Sequence, residues 1–271
     1  MKSFLVFLSS LTFLISAPVF AYIPPSQFIV KGWINKHGGM KAVKMQSTVT
    51  GFSSDLPTAT HFRVTTVYDA KTQKLKSWAV DDLDRVLYSL ERNFSSLSPV
   101  SKLLFFSEAG EVFKVLHENG VPVRTESELL KLRTEVERRE SEQESLVRWN
   151  GGLAWVLGIA NSKQEPESPQ LWFDKDLFLP VRFLYHAATV GDLYDFRLEN
   201  YKFMFEFPYP RTISLYKKGA GKIFTEQMVD IALNMDVKPT PRILGNGFTE
   251  SGHNASIELK SLIQNYYDSV R

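Results

Sequence analysis

The sequence predicts an α+β fold, mainly β: a strongly curved antiparallel sheet, or half-open β-barrel, with helices packed as a lid on its concave face. Three observations predict it. About ten short strand-like runs are punctuated by turn signals roughly every 8–12 residues, the spacing of a sandwich or barrel. No strand–helix–strand alternation occurs, so a parallel sheet is not supported. The helical segments among the strands need a surface to pack on, and the concave face of a curved sheet supplies one.

Composition narrows the function classes. The chain has 271 residues, 44% hydrophobic and 23% charged, an ordinary globular composition that excludes a disordered chain, a collagen and a polytopic membrane protein. Its formal net charge is +2, too small to imply nucleic acid. Cysteine is absent. That excludes disulfides, thiolate catalysis, Cys-ligated zinc, iron–sulfur clusters and a lipid on an N-terminal Cys.

Residues 1–21 read as a secretory signal. Lys2 is a minimal positive region, residues 4–15 are an apolar run, and Pro18 cuts that run short of the about 20 residues a spanning helix needs. Val19-Phe20-Ala21 is a small-x-small cleavage site, so cleavage is expected after Ala21. A short basic region and no cysteine suit a bacterial periplasm. One domain is expected over 22–252, with a central helical insertion near 99–141, followed by a helical tail over 253–271.

The mature segment opens on an amphipathic helix over 24–39. Ser26 caps it, Phe28, Ile29, Trp33 and Ile34 share one face, and Gly38-Gly39 end it. His37 at its end reads as a partner of the helix dipole. A meander follows over 45–52, 61–68, 74–80 and 85–90. Phe62, Val64, Thr66 and Tyr68 lie on one face of its second strand. Residues 100–109 and 111–118 have helical spacing, and Asn119-Gly120 stops the second helix. The charge-dense stretch 125–141 reads as a solvated helix. Runs 145–149 and 153–159 flank Asn150-Gly151-Gly152, a strong hairpin signal. Further strands cover 171–174, 180–186, 193–198, 201–207 and 211–216. Lys217-Lys218-Gly219-Ala220-Gly221 then turns into a strand over 222–234, where Ile223, Val229, Ile231 and Leu233 share one parity. Residues 239–252 read as a loop. A helix over 255–270 places Ile257, Leu262, Ile263 and Tyr266 on one side.

Catalytic patterns are lacking. None of His37, His61, His117, His186 and His253 has a metal-ligand spacing to another, and no HExxH, GxSxG, Walker or GxGxxG motif occurs. Asp81-Asp82-Leu83-Asp84 and Asp174-Lys175-Asp176 lie between strands, where Asp favours turns by bonding nearby backbone N–H groups. No catalytic residue, metal or cofactor is expected. Lys217, Lys218 and Lys222 make a basic hairpin tip, either a charged loop or a point of contact with an anionic membrane surface. The aromatic strands admit two readings: a strand covered on both faces by core and helix, or a groove for an acyl chain, each buried CH₂ contributing about 0.8 kcal/mol.

The segment LWFDKDLFLPVRFLY, through Trp172, Asp174, Pro180 and Tyr185, resembles the hairpin W-x-D-x-x-x-x-x-P-x-x-x-x-Y of LolA-like periplasmic lipoprotein and lipid carriers. Tyr201, Pro210, the KKGAGK turn and Asn234 fall in the order of that family's last hairpin. LVRWNGGLAWVLGI is similar to the preceding one. Gly38-Gly39 and MQSTVTGF resemble the opening. The resemblance spans 24–234 and implies a half-open barrel around a hydrophobic cavity, carrying lipids or lipoproteins between membranes without catalysis. Residues 125–144 and the helix after Gly252 depart from it, and no ligand-gripping arginine matches, Arg63 included.

The expected function is therefore a periplasmic carrier of a lipid or of lipoprotein acyl chains. The alternative is a sensor or protein-interaction module on the same scaffold, with the tail helix docking an envelope partner. An enzyme comes third. Trp78, Trp155, Phe183, Phe203 and Phe205 are nominated as cavity lining because each is a bulky residue in a candidate strand.

Overall fold

The computed structural model describes residues 24–37, 41–52, 60–106, 109–121, 123, 144–158, 168–186, 192–204, 207–233 and 245–271. The expected signal segment, Phe205 and the charged stretch 125–143 lie outside the described residues.

Helix α1 (Ser26–His37) leads into a meander of β1 (Ala42–Gly51), β2 (Thr60–Asp69), β3 (Lys74–Val80) and β4 (Val86–Asn93). A 3₁₀ turn (Phe94–Ser96), α2 (Pro99–Phe105) and α3 (Ala109–Glu118) follow. Seven more strands come next: β5 (Glu144–Trp149), β6 (Gly152–Leu157), β7 (Gln170–Asp174), β8 (Pro180–His186), β9 (Leu193–Met204), β10 (Phe207–Lys217) and β11 (Gly221–Leu233). The chain ends on β12 (Gly247–Phe248), α4 (Glu250–His253) and α5 (Ile257–Val270).

The twelve strands among the described residues form one sheet in the order β12-β4-β3-β2-β1-β11-β10-β9-β8-β7-β6-β5. Two meanders are joined where β1 pairs antiparallel with β11. Each neighbouring pair is antiparallel, so short turns suffice between consecutive strands. The expected curved, unclosed antiparallel sheet is present. Its outermost strands, β12 and β5, are not bonded to each other among the described residues.

Local chemistry explains the elements. Asn150 (φ 46°) and Gly151 (φ 83°) turn β5 into β6, the left-handed pair that a two-residue hairpin demands. Ser98 caps α2 by accepting from the Ser101 N–H, and Pro99 follows at the first helical position, where a missing N–H costs nothing. The short β12 and α4 interrupt the stretch read as a loop. Thr249 caps α4 by accepting from Gly252 N–H.

One row shows how the core is built. Leu171, Phe183, Phe196, Leu215 and Phe224 face one another across five strands, and Gly51 takes the next place in the row, on β1. All five side chains are buried. A Cβ on Gly51 would lie 2.6 Å from Leu262 Cδ1 of α5. The missing side chain is thus what lets a helix approach the sheet there.

β11 departs from the parity expected of it. A bulge opposite Gln46 and Ser47 leaves Val229 unpaired and 65% exposed. The bulge turns the strand by one residue, so Phe224, Glu226 and Met228 face inward before it and Ile231 after it.

α1 also differs in phase. It buries Ser26, Ile29, Val30, Trp33 and His37, and Phe28 is exposed. Trp33 packs on Phe106 and Phe173, with centroids 5.0 and 5.7 Å away. His37 is no exposed dipole partner. Its Nε2–H donates to the Leu104 carbonyl at 3.1 Å, and its ring stacks on Phe106 at 4.0 Å. Burial lowers its pKa from 6.5 to about 4, outweighing two backbone hydrogen bonds that act upward.

An acid dependence follows. The unfolded chain protonates His37 near pH 6.5, and the folded chain only near pH 4. Stability attributable to this group is therefore full above about 6.5 and falls with pH until about 4, by about 3 kcal/mol in total. Urea midpoints at pH 7 and 4.5 should diverge in the parent and much less in His37→Gln. Equal acid shifts in both would refute the assignment.

Candidate functional site

The concave face is the candidate site. α5 lies on it. Leu262, Ile263, Tyr266, Tyr267 and Val270 are buried, while Ile257, expected on the same side, is 77% exposed. Tyr266 meets Phe62 and Phe224 edge-on at 5.7 and 5.5 Å. Tyr267 packs on Tyr88 at 4.5 Å. Apart from Ile257, its large apolar side chains are mostly buried in the core, and its outward positions include Ser261, Gln264, Asn265 and Asp268.

The end of α5 is held by polar groups of the lid and sheet. The last carbonyls of a helix lack intrahelical partners. Here Ser98 Oγ donates to Val270 O at 2.6 Å, and Ser101 Oγ donates to the same carbonyl. Tyr185 OH donates to Ser269 O at 3.2 Å. Residues of α2 and β8 thus complete α5.

Arg271 follows the helix and is fully buried. Its Nη2 donates to Glu226 Oε1 at 2.6 Å, and its Nε to Thr66 Oγ1 at 3.1 Å. Ser47 Oγ donates to the same Glu226 oxygen at 2.7 Å. Thr66 and Ser77 hydroxyls are 3.0 Å apart, and Ser77 lies 3.2 Å from Tyr267 OH. The guanidinium lies 5.8 Å from the Phe105 centroid and 5.3 Å from that of Tyr266. Burial is the largest single influence and works against its charge, but the Glu226 carboxylate together with the neighbouring Tyr266, Tyr209 and Tyr267 more than offsets it and holds the pKa above the ordinary arginine value. A buried charge demands such a partner. Burial likewise raises the pKa of Tyr209, Tyr266 and Tyr267, so all three are neutral hydroxyls at pH 7.

The nominated residues separate. Trp155 and Phe183 are buried on the concave side, in the core that α1 and α5 cover. Trp78 faces the convex side and lines a groove of about 460 Å³ with Lys44, Thr48, Arg63 and Val86. Phe203 is 51% exposed. Phe205 is not among the described residues. Arg63 also belongs to the convex groove, where it bonds Asp84 at 2.9 Å and the Asp81 carbonyl at 2.7 Å.

Sequence reasoning missed Glu226, Arg271 and the hydroxyls of Ser47 and Ser77. One signal was present. Phe224-x-Glu226-x-Met228 places a carboxylate between two apolar residues of one parity, but the bulge at Val229 hides that parity. The acidic stretches are turns. Asp81 Oδ1 accepts from Leu83 and Arg85 N–H groups, and Asp174 Oδ1 from Asp176 and Leu177. Among the described residues no group of three or more His, Asp or Glu could hold a metal ion.

No protein-family model and no curated protein matches the chain. Solved structures do resemble it. A LolA superfamily protein from Nitrosomonas europaea superposes with a TM-score of 0.46 at 11% identity, covering 79% of this chain and 95% of that one. A putative outer membrane lipoprotein-sorting protein domain from Vibrio parahaemolyticus gives 0.43 at 10% identity, over 78% and 93%. A DUF1329 family protein from Desulfovibrio piger gives 0.41 at 9%, over 80% and 96%.

Proposed function

We propose that this protein is a carrier of lipid or lipoprotein acyl chains in the bacterial periplasm, and that α5 occupies the acyl site until cargo displaces it. The observation that carries this reading is the cover of the concave face. An apolar, aromatic surface is closed by a helix, through five apolar side chains and a few polar contacts, and not by a further strand. The sheet can therefore remain intact while α5 leaves.

The energies are of matching size. Exposing five buried apolar side chains of α5 costs roughly 1.5–3 kcal/mol each, on the order of 10 kcal/mol in all. An acyl chain of about 16 carbons recovers about 0.8 kcal/mol per CH₂, roughly 13 kcal/mol. On apolar burial alone, cargo and helix are thus near-equal competitors for one surface, as a carrier that both loads and unloads requires. The buried hydroxyls and the Glu226–Arg271 pair would then tune the balance. Secretion rests on the signal-like residues 1–21. No helix among the described residues is long and apolar enough to cross a membrane.

The test is native mass spectrometry of the protein purified from a bacterial periplasm, with lipid extraction and uptake of a fluorescent fatty acid. A co-purifying acylated molecule near one per chain, displaceable by the probe, is the expected result. A bare mass together with no probe uptake would end the carrier reading.

A further inference from the structure

The convex face carries a second feature, built on strands β8–β11 and on Trp149 of β5. A groove of about 450 Å³ is lined by Trp149, Arg182, Arg197, Tyr216, Lys217 and Lys218, with Asp195 its one carboxylate. Arg182 is held flat. It lies 5.0 Å from the Trp149 ring and 4.7 Å from Trp172, and bonds both Asp195 oxygens at 2.8 and 2.7 Å. Arg197 lies over Tyr216 at 3.9 Å and reaches Asp195 only at 3.3–3.4 Å. One carboxylate therefore serves two guanidiniums, and the groove keeps a cationic surplus.

The nearby hairpin brings further lysines to the rim. Gly219 (φ 81°) and Gly221 (φ 78°) make the tight β10–β11 turn. Added Cβ atoms there would meet nothing within 4 Å, so these glycines serve backbone conformation and not packing. The turn holds Lys218 exposed. Lys222 follows it, 5.4 Å from the Tyr216 ring and 5.2 Å from the ring of Phe52. Phe52 is 44% exposed. Lys217 is matched by Asp192 at 2.7 Å, and Glu199 accepts from Asn150.

We infer that this face docks on an anionic phospholipid bilayer, with the β10–β11 hairpin and Phe52 as the leading edge. Two facts select a bilayer over a dissolved anion. Cationic side chains and partly exposed aromatic rings neighbour one another around Tyr216 and Phe52, the arrangement that suits a lipid headgroup layer. An exposed phenylalanine stands beside the lysines, which an acyl interface rewards and a free phosphate does not. The surface lies opposite the face that α5 covers, so docking and cargo binding need not compete. This inference goes beyond the carrier reading and does not depend on it.

The experiment is co-sedimentation of the full chain with vesicles. Phosphatidylcholine alone is compared with phosphatidylcholine carrying about 30 mol% phosphatidylglycerol. The expected result is binding to the anionic vesicles only, released by about 0.5 M salt. Removing two lysines, in Lys218→Gln/Lys222→Gln, should lower partitioning about thirtyfold at low salt, roughly fivefold per side chain. Circular dichroism should show the same fold. Equal binding to neutral vesicles overturns the inference, as does undiminished binding by the folded double variant. Displacement of vesicles by millimolar inorganic phosphate would mark a free-anion site and also overturn it. Uptake of the fluorescent fatty acid from solution should be unchanged in the double variant. A protein that sediments with anionic vesicles but takes up no fatty acid would retire the carrier reading and leave this one standing.

Discussion

Glu226→Ala should destabilise the protein by about 3–5 kcal/mol, read as a fall in the urea midpoint at pH 7. Removing one partner of a buried ion pair strands the other. Arg271 is fully buried between Phe105 and Tyr266, and would keep only the Thr66 hydroxyl among its described side-chain acceptors. The Ser47 hydroxyl would lose its acceptor as well. The cost should not be additive. Glu226→Leu/Arg271→Met removes both charges and leaves apolar volume, and such replacements are often neutral or stabilising. The double variant should therefore recover most of the loss. A single-site cost below about 1 kcal/mol, typical of an exposed pair, would show that the pair is solvated. Recovery in the double variant with faster fatty-acid uptake would show further that the pair specifies where α5 sits more than it stabilises the fold.

Much of the architecture was legible because strand periodicity is local. Phe62, Val64, Thr66 and Tyr68 were readable as one face, and all four are buried. The hairpin at Asn150-Gly151 declared itself through residues that tolerate positive φ. What stayed hidden depends on contacts distant in sequence. The bulge at Val229 is set by pairing with β1, far away in sequence, so no window along the chain exposes it, and Glu226 went unseen with it. Trp78 could not be assigned a face because β3 carries apolar residues on both. Leu75 and Ala79 point inward while Trp78 is covered on the convex side. His37 failed for another reason. A histidine ending a helix ordinarily meets solvent, and only the later packing of Phe106 and Phe207 on its ring encloses it.

The candidate site was half legible. The apolar stripe of α5 was visible through Leu262, Ile263 and Tyr266, and the concave surface through the alternating aromatics. Their joining was not, because a carrier predicted from its strands alone would leave its cavity to the cargo. The structure gives that surface to the chain itself.

That occupancy yields the sharpest functional test, a lock on α5. Gly51→Cys/Leu262→Cys should form a single defined disulfide, since the chain has no cysteine of its own. A Cβ at position 51 lies 3.1 Å from Leu262 Cγ, and the Cβ of residue 262 is one bond further on. The two are therefore within reach of the about 3.5–4.5 Å that a disulfide spans. Replacing Leu262 also removes the two methyl groups that would otherwise clash, at 2.6 and 2.7 Å. Oxidised, the variant should be more stable, by up to about 5 kcal/mol for so long a loop. It should also lose uptake of the fluorescent fatty acid by at least about tenfold, because α5 can no longer vacate the concave face. Reduction should restore uptake in the same sample, which separates locking from misfolding. Uptake equal in both redox states would mean that acyl chains enter without moving α5, and the exchange between helix and cargo would have to be abandoned. Loss on oxidation with recovery on reduction would make the last helix of the chain the occupant that a lipid must displace.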